Sequence, residues 1–148
     1  MKDNASADKD ACSYGLFSYD TENLGDEIQS IAVRRFLPQV DYYFNRDDID
    51  ATITPDNKPI KLIMNGWYTH KPENWPPKNP NILPLLTSIH VDQSAGRRSM
   101  DAFLSEESRQ FLSNFGPVGA RDVATQEFFK KNDIPSYLSY CATLTLLP

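Results

Sequence analysis

With 148 residues and a net charge of −5 (15 Lys and Arg against 20 Asp and Glu), the chain has the size of one domain with room for a real core. Its acidic balance sets it against phosphate backbones and excludes general nucleic-acid binding. No apolar run approaches the roughly 18 residues that a membrane span needs.

Other function classes fall away on composition. Cys12 and Cys141 stand far apart and form no Cys-x-x-Cys pair, so a zinc site or disulfide framework lacks support and two reduced thiols are expected. Two histidines, His70 and His90, are thin material for a histidine metal site, and neither metal nor cofactor is expected. The polar, acidic start of the chain lacks the apolar stretch of a secretory signal, which predicts a cytoplasmic protein.

In chain order, residues 1–11 read as a disordered leader, polar and without periodicity. The run 13–18 suits a buried first strand. A helix follows from Leu24, with Ile28, Ile31, Ala32 and Phe36 at helical spacing and Pro38 as its stop; Asp26 and Glu27 complement the dipole of its first turn. Residues 40–44 predict a second strand and 60–64 a third, which runs into Asn65-Gly66-Trp67. Five prolines between 69 and 84 predict an irregular loop.

Residues 85–91 predict a fourth strand, with His90 at its end. Arg97-Arg98 reads as a solvated loop. Ser105 opens a helix to about Asn114, closed by Gly116-Pro117. A short strand 118–120 precedes Arg121-Asp122, then a helix over 123–132 offers Val123, Phe128 and Phe129 to the core. A β-rich run over 137–146 ends the pattern. Alternation of strands with helices or long crossovers predicts an α/β, Rossmann-like fold, a mostly parallel sheet with helices on both faces.

Such sheets bind ligands beyond the carboxyl ends of their strands, where the distinctive side chains of this sequence gather. At Asn23-Leu24-Gly25-Asp26, Gly25 permits close approach of a ligand to free helix N–H groups, while a capped helix start is the competing reading. Neither the Gly-x-Gly-x-x-Gly fingerprint nor a Walker Gly-Lys-Thr/Ser is present, so no dinucleotide or nucleoside triphosphate is indicated. Asn65, Gly66 and Trp67, with Tyr68, combine an amide, a backbone joint and aromatic faces, the usual means of holding a sugar ring. Trp75 could join them, and anchoring of the loop on the core explains both indoles equally well. His90 is a candidate general acid or anion contact, and otherwise a hydrogen-bonded rim residue. Arg121 is a candidate clamp for phosphate or carboxylate, and otherwise a surface partner of Asp122 or Glu127.

Four segments together resemble the polysaccharide pyruvyl transferase family: residues 20–30 around Asn23-Leu24-Gly25-Asp26, Met64-Asn65-Gly66-Trp67-Tyr68, Ser88-Ile89-His90-Val91 and Gly119-Ala120-Arg121-Asp122. A fifth, 140–146, resembles the segment near the end of the family's first half. The resemblance implies residues 12–148 as the amino-terminal Rossmann-like domain, one half of a GT-B fold, with a second carboxy-terminal domain beyond it. It implies transfer of pyruvate from phosphoenolpyruvate to a saccharide acceptor, forming a ketal in cell-surface or exopolysaccharide synthesis. Within that chemistry Asp26 suits a base or hydroxyl acceptor, His90 an acid, and Arg121 the donor clamp, with Asn23, Gly25, Asn65, Gly66 and Trp67 as further substrate contacts. A non-catalytic sugar- or anion-binding module or truncated remnant, and another GT-B glycosyltransferase, are the alternatives.

Overall fold

In the computed structural model, which describes residues 12–55 and 57–146, six strands form one all-parallel sheet. The expected leader lies outside the described residues. The strands are β1 (Ser13–Ser18), β2 (Tyr42–Asn45), β3 (Ile60–Trp67), β4 (Ile82–His90), β5 (Val118–Ala120) and β6 (Ser136–Leu138), in the spatial order β2-β1-β3-β4-β5-β6. The chain leaves β1 in one direction to make β2 and returns to the other side for β3. This reversal is the switch point at which doubly wound sheets open a ligand crevice.

Strand alternation sorts the apolar residues into two layers. Phe17, Ile60, Leu62, Met64, Ile82 and Leu86 enter a large core with Phe103, Leu112, Phe128 and Phe129. Those four come from helices α2 (Arg97–Phe103), α3 (Glu106–Phe115) and α4 (Val123–Lys131). Leu16 enters a small core on the opposite face with Ala32, Val33, Leu37 and Ala142, beneath α1 (Leu24–Arg34). Helices therefore cover both faces, unequally: Leu83 and Leu85 on the α1 side remain exposed.

Several elements differ from expectation. Helix α1 buries Asp26, Gln29, Ser30, Ala32 and Val33, while Ile28, Ile31 and Phe36 are exposed. The first half of its inner face lies over the polar end of the sheet, where Ser30 donates to the Phe17 carbonyl at 2.8 Å, so polar side chains occupy the buried positions. Val123 is likewise exposed, at the first turn of α4, whereas Phe128 and Phe129 are buried.

The strand β2 starts two residues later than expected, at Tyr42. The proline-rich stretch contains a 3₁₀ turn, Pro72–Asn74, and the first three residues of β4, Pro84 among them. Proline is accommodated there because β5 reaches β4 only at the Ile89↔Ala120 register, so the amino-terminal half of β4 has no strand neighbour on that side. Arg97 and Arg98 lie on helix α2 rather than a loop. The terminal run makes only β6 before the chain turns through Tyr140 (φ +59°) into the 3₁₀ segment Ala142–Leu146. Burial of Ala142 against α1, on the opposite face, takes that segment out of the sheet.

Candidate functional site

Every candidate residue lies along the carboxyl edge of the sheet, in the order set by the strands: Asp26 after β1, Asn65 to Trp67 at the end of β3, His90 at the end of β4, Arg121 after β5. With neighbouring strands about 4.8 Å apart, the strand of Asp26 and that of His90 are two spacings, about 10 Å, from each other. The edge divides into two clusters.

The first surrounds Arg46, just beyond β2. Its side chain is fully buried, with Nε and Nη2 donating to the two carboxylate oxygens of Asp47 at 3.0 and 3.2 Å and Nη1 standing 3.0 Å from Asp26 Oδ1. The guanidinium lies over the Tyr19 ring at 5.0 Å. Burial works against the cation, but the Asp47 hydrogen bonds and the charges of Asp47 and Asp26 outweigh it and raise the Arg46 pKa. Burial likewise pushes the Tyr19 hydroxyl up to about 12. Asp26 also accepts from Thr21 Oγ1 at 3.0 Å and is 4% exposed.

Asn23 caps α1, its Oδ1 accepting from the Gly25 N–H at 2.9 Å, while its carbonyl accepts from the Asp26 N–H at 3.0 Å. The competing reading of that motif, a capped helix start, describes this geometry. Gly66 has φ +101° and turns its Cα toward Arg46 Cδ and Gln29 Oε1. Asn65 beside it is fully buried, and its amide makes no hydrogen bond among the described residues.

The second cluster forms where β3, β4 and β5 end. Between Met64/Leu86 and Gly66/Ile89 the strand β4 carries one extra residue, with Ser88 at φ +53°, and this bulge leaves Trp67 and His90 as register partners. Their rings lie 6.1 Å apart, and His70 meets the Trp67 ring edge-on at 4.5 Å. His90 Nδ1 is 2.7 Å from Asp122 Oδ2; the other oxygen of Asp122 accepts from Thr125 N–H at 2.8 Å and caps α4. Arg121 Nε stands 3.9 Å from the same Oδ2, and the Arg121 N–H donates to the Ile89 carbonyl at 2.8 Å. Partial burial raises the Asp122 pKa, but the hydrogen bonds from Thr125 and His90 outweigh it and hold the carboxyl below its ordinary range.

A groove of about 260 Å³ opens beside these residues, lined by Trp67, Thr69, His70, Asp92 and Ala95. The structure thus brings Trp67, His90 and Arg121 together and sets Asn23, Gly25 and Asp26 apart with Arg46. Trp75 belongs to neither: its indole stacks on Phe103 at 4.9 Å and donates to Ser108 Oγ at 2.7 Å inside the core. Sequence reasoning passed over Arg46 and Asp47, and named Asp122 only as a surface partner of Arg121, without its contact to His90. The strand-end rule reaches all three, since each follows the carboxyl end of a strand. Among the described residues there is no group of three His, Cys, Asp or Glu side chains that could hold a metal ion, and no helix is long and apolar enough to cross a membrane.

An all-parallel, doubly wound sheet with a polar carboxyl edge defines a Rossmann-like α/β domain. The chain belongs to the polysaccharide pyruvyl transferase family, whose model matches residues 23–148 and so takes in every candidate residue from Asn23 to Arg121. No curated protein and no solved structure matches the chain significantly.

Proposed function

We propose that this chain forms one wall of a site that moves pyruvate from phosphoenolpyruvate onto two hydroxyls of a sugar. Protonation of the donor's methylene carbon makes the methyl group and opens the adjacent carbon to the first hydroxyl. Loss of phosphate and attack by the second hydroxyl close the ketal. One hydroxyl proton balances the proton gained by the methyl group, and the other leaves with phosphate or solvent. The steps call for an acid, a hydroxyl acceptor and cations for the donor's phosphate and carboxylate.

What carries the reading is the register pairing of Trp67 with His90, next to a strand end bearing Arg121, in a chain of this family. His90 supplies the acid and Arg121 the clamp on the donor anion. Trp67 offers its ring to the sugar across the groove, and Asp92, which lines that groove, accepts from a sugar hydroxyl. Asp26, buried and committed to Arg46, steadies the start of α1 in this reading rather than serving as a free base. A second Rossmann-like domain facing this edge, as in a GT-B arrangement, completes the cleft. One wall alone leaves the fixed charges in water, where they act weakly.

The test is incubation of the full-length protein with a sugar acceptor and labelled phosphoenolpyruvate, or a labelled nucleotide-sugar in a parallel reaction. Phosphate release with label on the sugar is the expected result. Transfer from the nucleotide-sugar, or binding without turnover of either donor, overturns it.

A further inference from the structure

We propose that Asp122 is a positioning residue, whose carboxylate holds the neutral His90 ring as its Nδ1–H tautomer and leaves Nε2 as the working nitrogen. The inference rests on the proposed function only for what Nε2 then does: Nε2 takes up a proton, and the imidazolium delivers it to the donor's methylene carbon, which returns the ring to the Nδ1–H tautomer. The tautomer itself follows from geometry. Asp122 divides its two oxygens. Oδ1 accepts from the Thr125 N–H at 2.8 Å, which fixes the carboxylate on the first turn of α4. Oδ2 stands 2.7 Å from His90 Nδ1. An ionised carboxylate only accepts, so the proton in this short contact sits on Nδ1.

Thr125 closes the arrangement. Its Oγ1 is fully buried, accepts from the Val91 N–H at 3.2 Å and lies 3.4 Å from His90 Nδ1, so the backbone after His90 and the ring are tied to the same helix turn. Nε2 makes no hydrogen bond among the described residues, and the side chain is 24% exposed. The charged and titratable groups around the ring are Asp122 and Arg121 from the β5–α4 junction, Asp92 from the segment after β4, and His70 from the segment after β3. Arg121 shares Oδ2 of Asp122 at 3.9 Å, so one carboxylate oxygen sets both the imidazole and the cation proposed to grip the donor.

The test is nitrogen-15 NMR of the 148-residue chain, at a pH where the imidazoles are neutral. With two histidines the spectrum assigns simply, and His70 is an internal reference. In the wild type, His90 is expected to show a pyridine-like Nε2 and a pyrrole-like Nδ1, the reverse of the tautomer that free histidine favours. In Asp122→Asn the helix cap keeps Oδ1, which presents the amide NH₂ to Nδ1 and inverts the tautomer. Asp122→Ser retains a good capping hydroxyl for α4 and removes the partner of the ring, so His90 relaxes toward the free-histidine tautomer even if the Asn variant folds poorly. A wild-type Nε2–H tautomer, or a Nδ1–H tautomer that survives in Asp122→Ser, overturns the proposal. Repeating the measurement with phosphoenolpyruvate, on a form that carries the proposed second domain, separates the two readings. A tautomer as expected with no movement of the Nε2 signal supports the role of Asp122 and counts against the donor assignment alone.

Discussion

Arg46 Nη1 lies 3.0 Å from Asp26 Oδ1 with neither side chain open to water, and this pair bolts the end of β2 to the first turn of α1. Such a pair contributes little over an apolar replacement of equal shape, because both ions were stripped of water to make it. Removing one partner is a different matter, since the other charge is left buried and alone.

Arg46→Met is therefore expected to destabilise the domain by about 3–5 kcal/mol, as Asp26 and Asp47 lose their counter-ion together. Arg46→Lys recovers only part of this, because an ammonium cannot make the two parallel bonds to Asp47. Denaturant unfolding monitored by Trp67 and Trp75 fluorescence measures both. A loss below about 1 kcal/mol for Arg46→Met, the scale of a surface pair, sinks this account.

Gly66 faces the same guanidinium. At φ +101° an L side chain is strained, although a Cβ there meets Arg46 Cδ at an unforced 3.5 Å. The expected cost of Gly66→Ala is thus backbone strain of roughly 1–3 kcal/mol. A melting temperature equal to wild type would show that the turn relaxes freely. The variant also tests function, because the same turn sets the direction in which Trp67 leaves β3.

How much of this was legible beforehand follows the reach of each interaction. The β1 strand and the strand at 118–120 could be read because continuous small or apolar runs bounded by polar turns have one use in a parallel sheet. The inner face of α1 could not, since Ser30 and Gln29 are buried only where the helix crosses the polar edge. Neither could the start of β4, because the open flank that accommodates Pro84 is a property of the short strand β5, more than thirty residues away. The convergence of Asp122 on His90 joins residues 32 apart, and no local pattern announces it. Arg46 was reachable through the strand-end rule, but its pair with Asp26 exists only once β2 and α1 meet.

The pH dependence of stability has a sign that the structure fixes. The Asp122 pKa is depressed by the hydrogen bonds from Thr125 and His90, despite partial burial, so its stabilising contribution is complete above the unfolded carboxylate pKa and fades as pH falls through the lower folded value. Over the range below about pH 4, where carboxylates titrate, Asp122→Asn should lose stability less steeply than wild type. Asparagine keeps the cap on α4 and removes the titrating group. Parallel acid arms in thermal melts of the two proteins would refute it.

Arg121 gives the sharpest functional test. Its backbone N–H is fixed on β4 through the Ile89 carbonyl, and its guanidinium shares Asp122 with His90 while remaining 30% exposed. A charge-assisted contact to the donor's phosphate or carboxylate contributes about 1.5–3 kcal/mol. Arg121→Ala should then weaken phosphoenolpyruvate binding by roughly tenfold or more in the full-length protein. Arg121→Lys should rescue it partly, because the charge survives while the two-pronged geometry does not. Calorimetric titration reads the affinity directly, with an uncharged sugar as comparison. Equal loss for donor and sugar would mean that the fold of the edge was damaged, and unchanged donor affinity would remove Arg121 from the site.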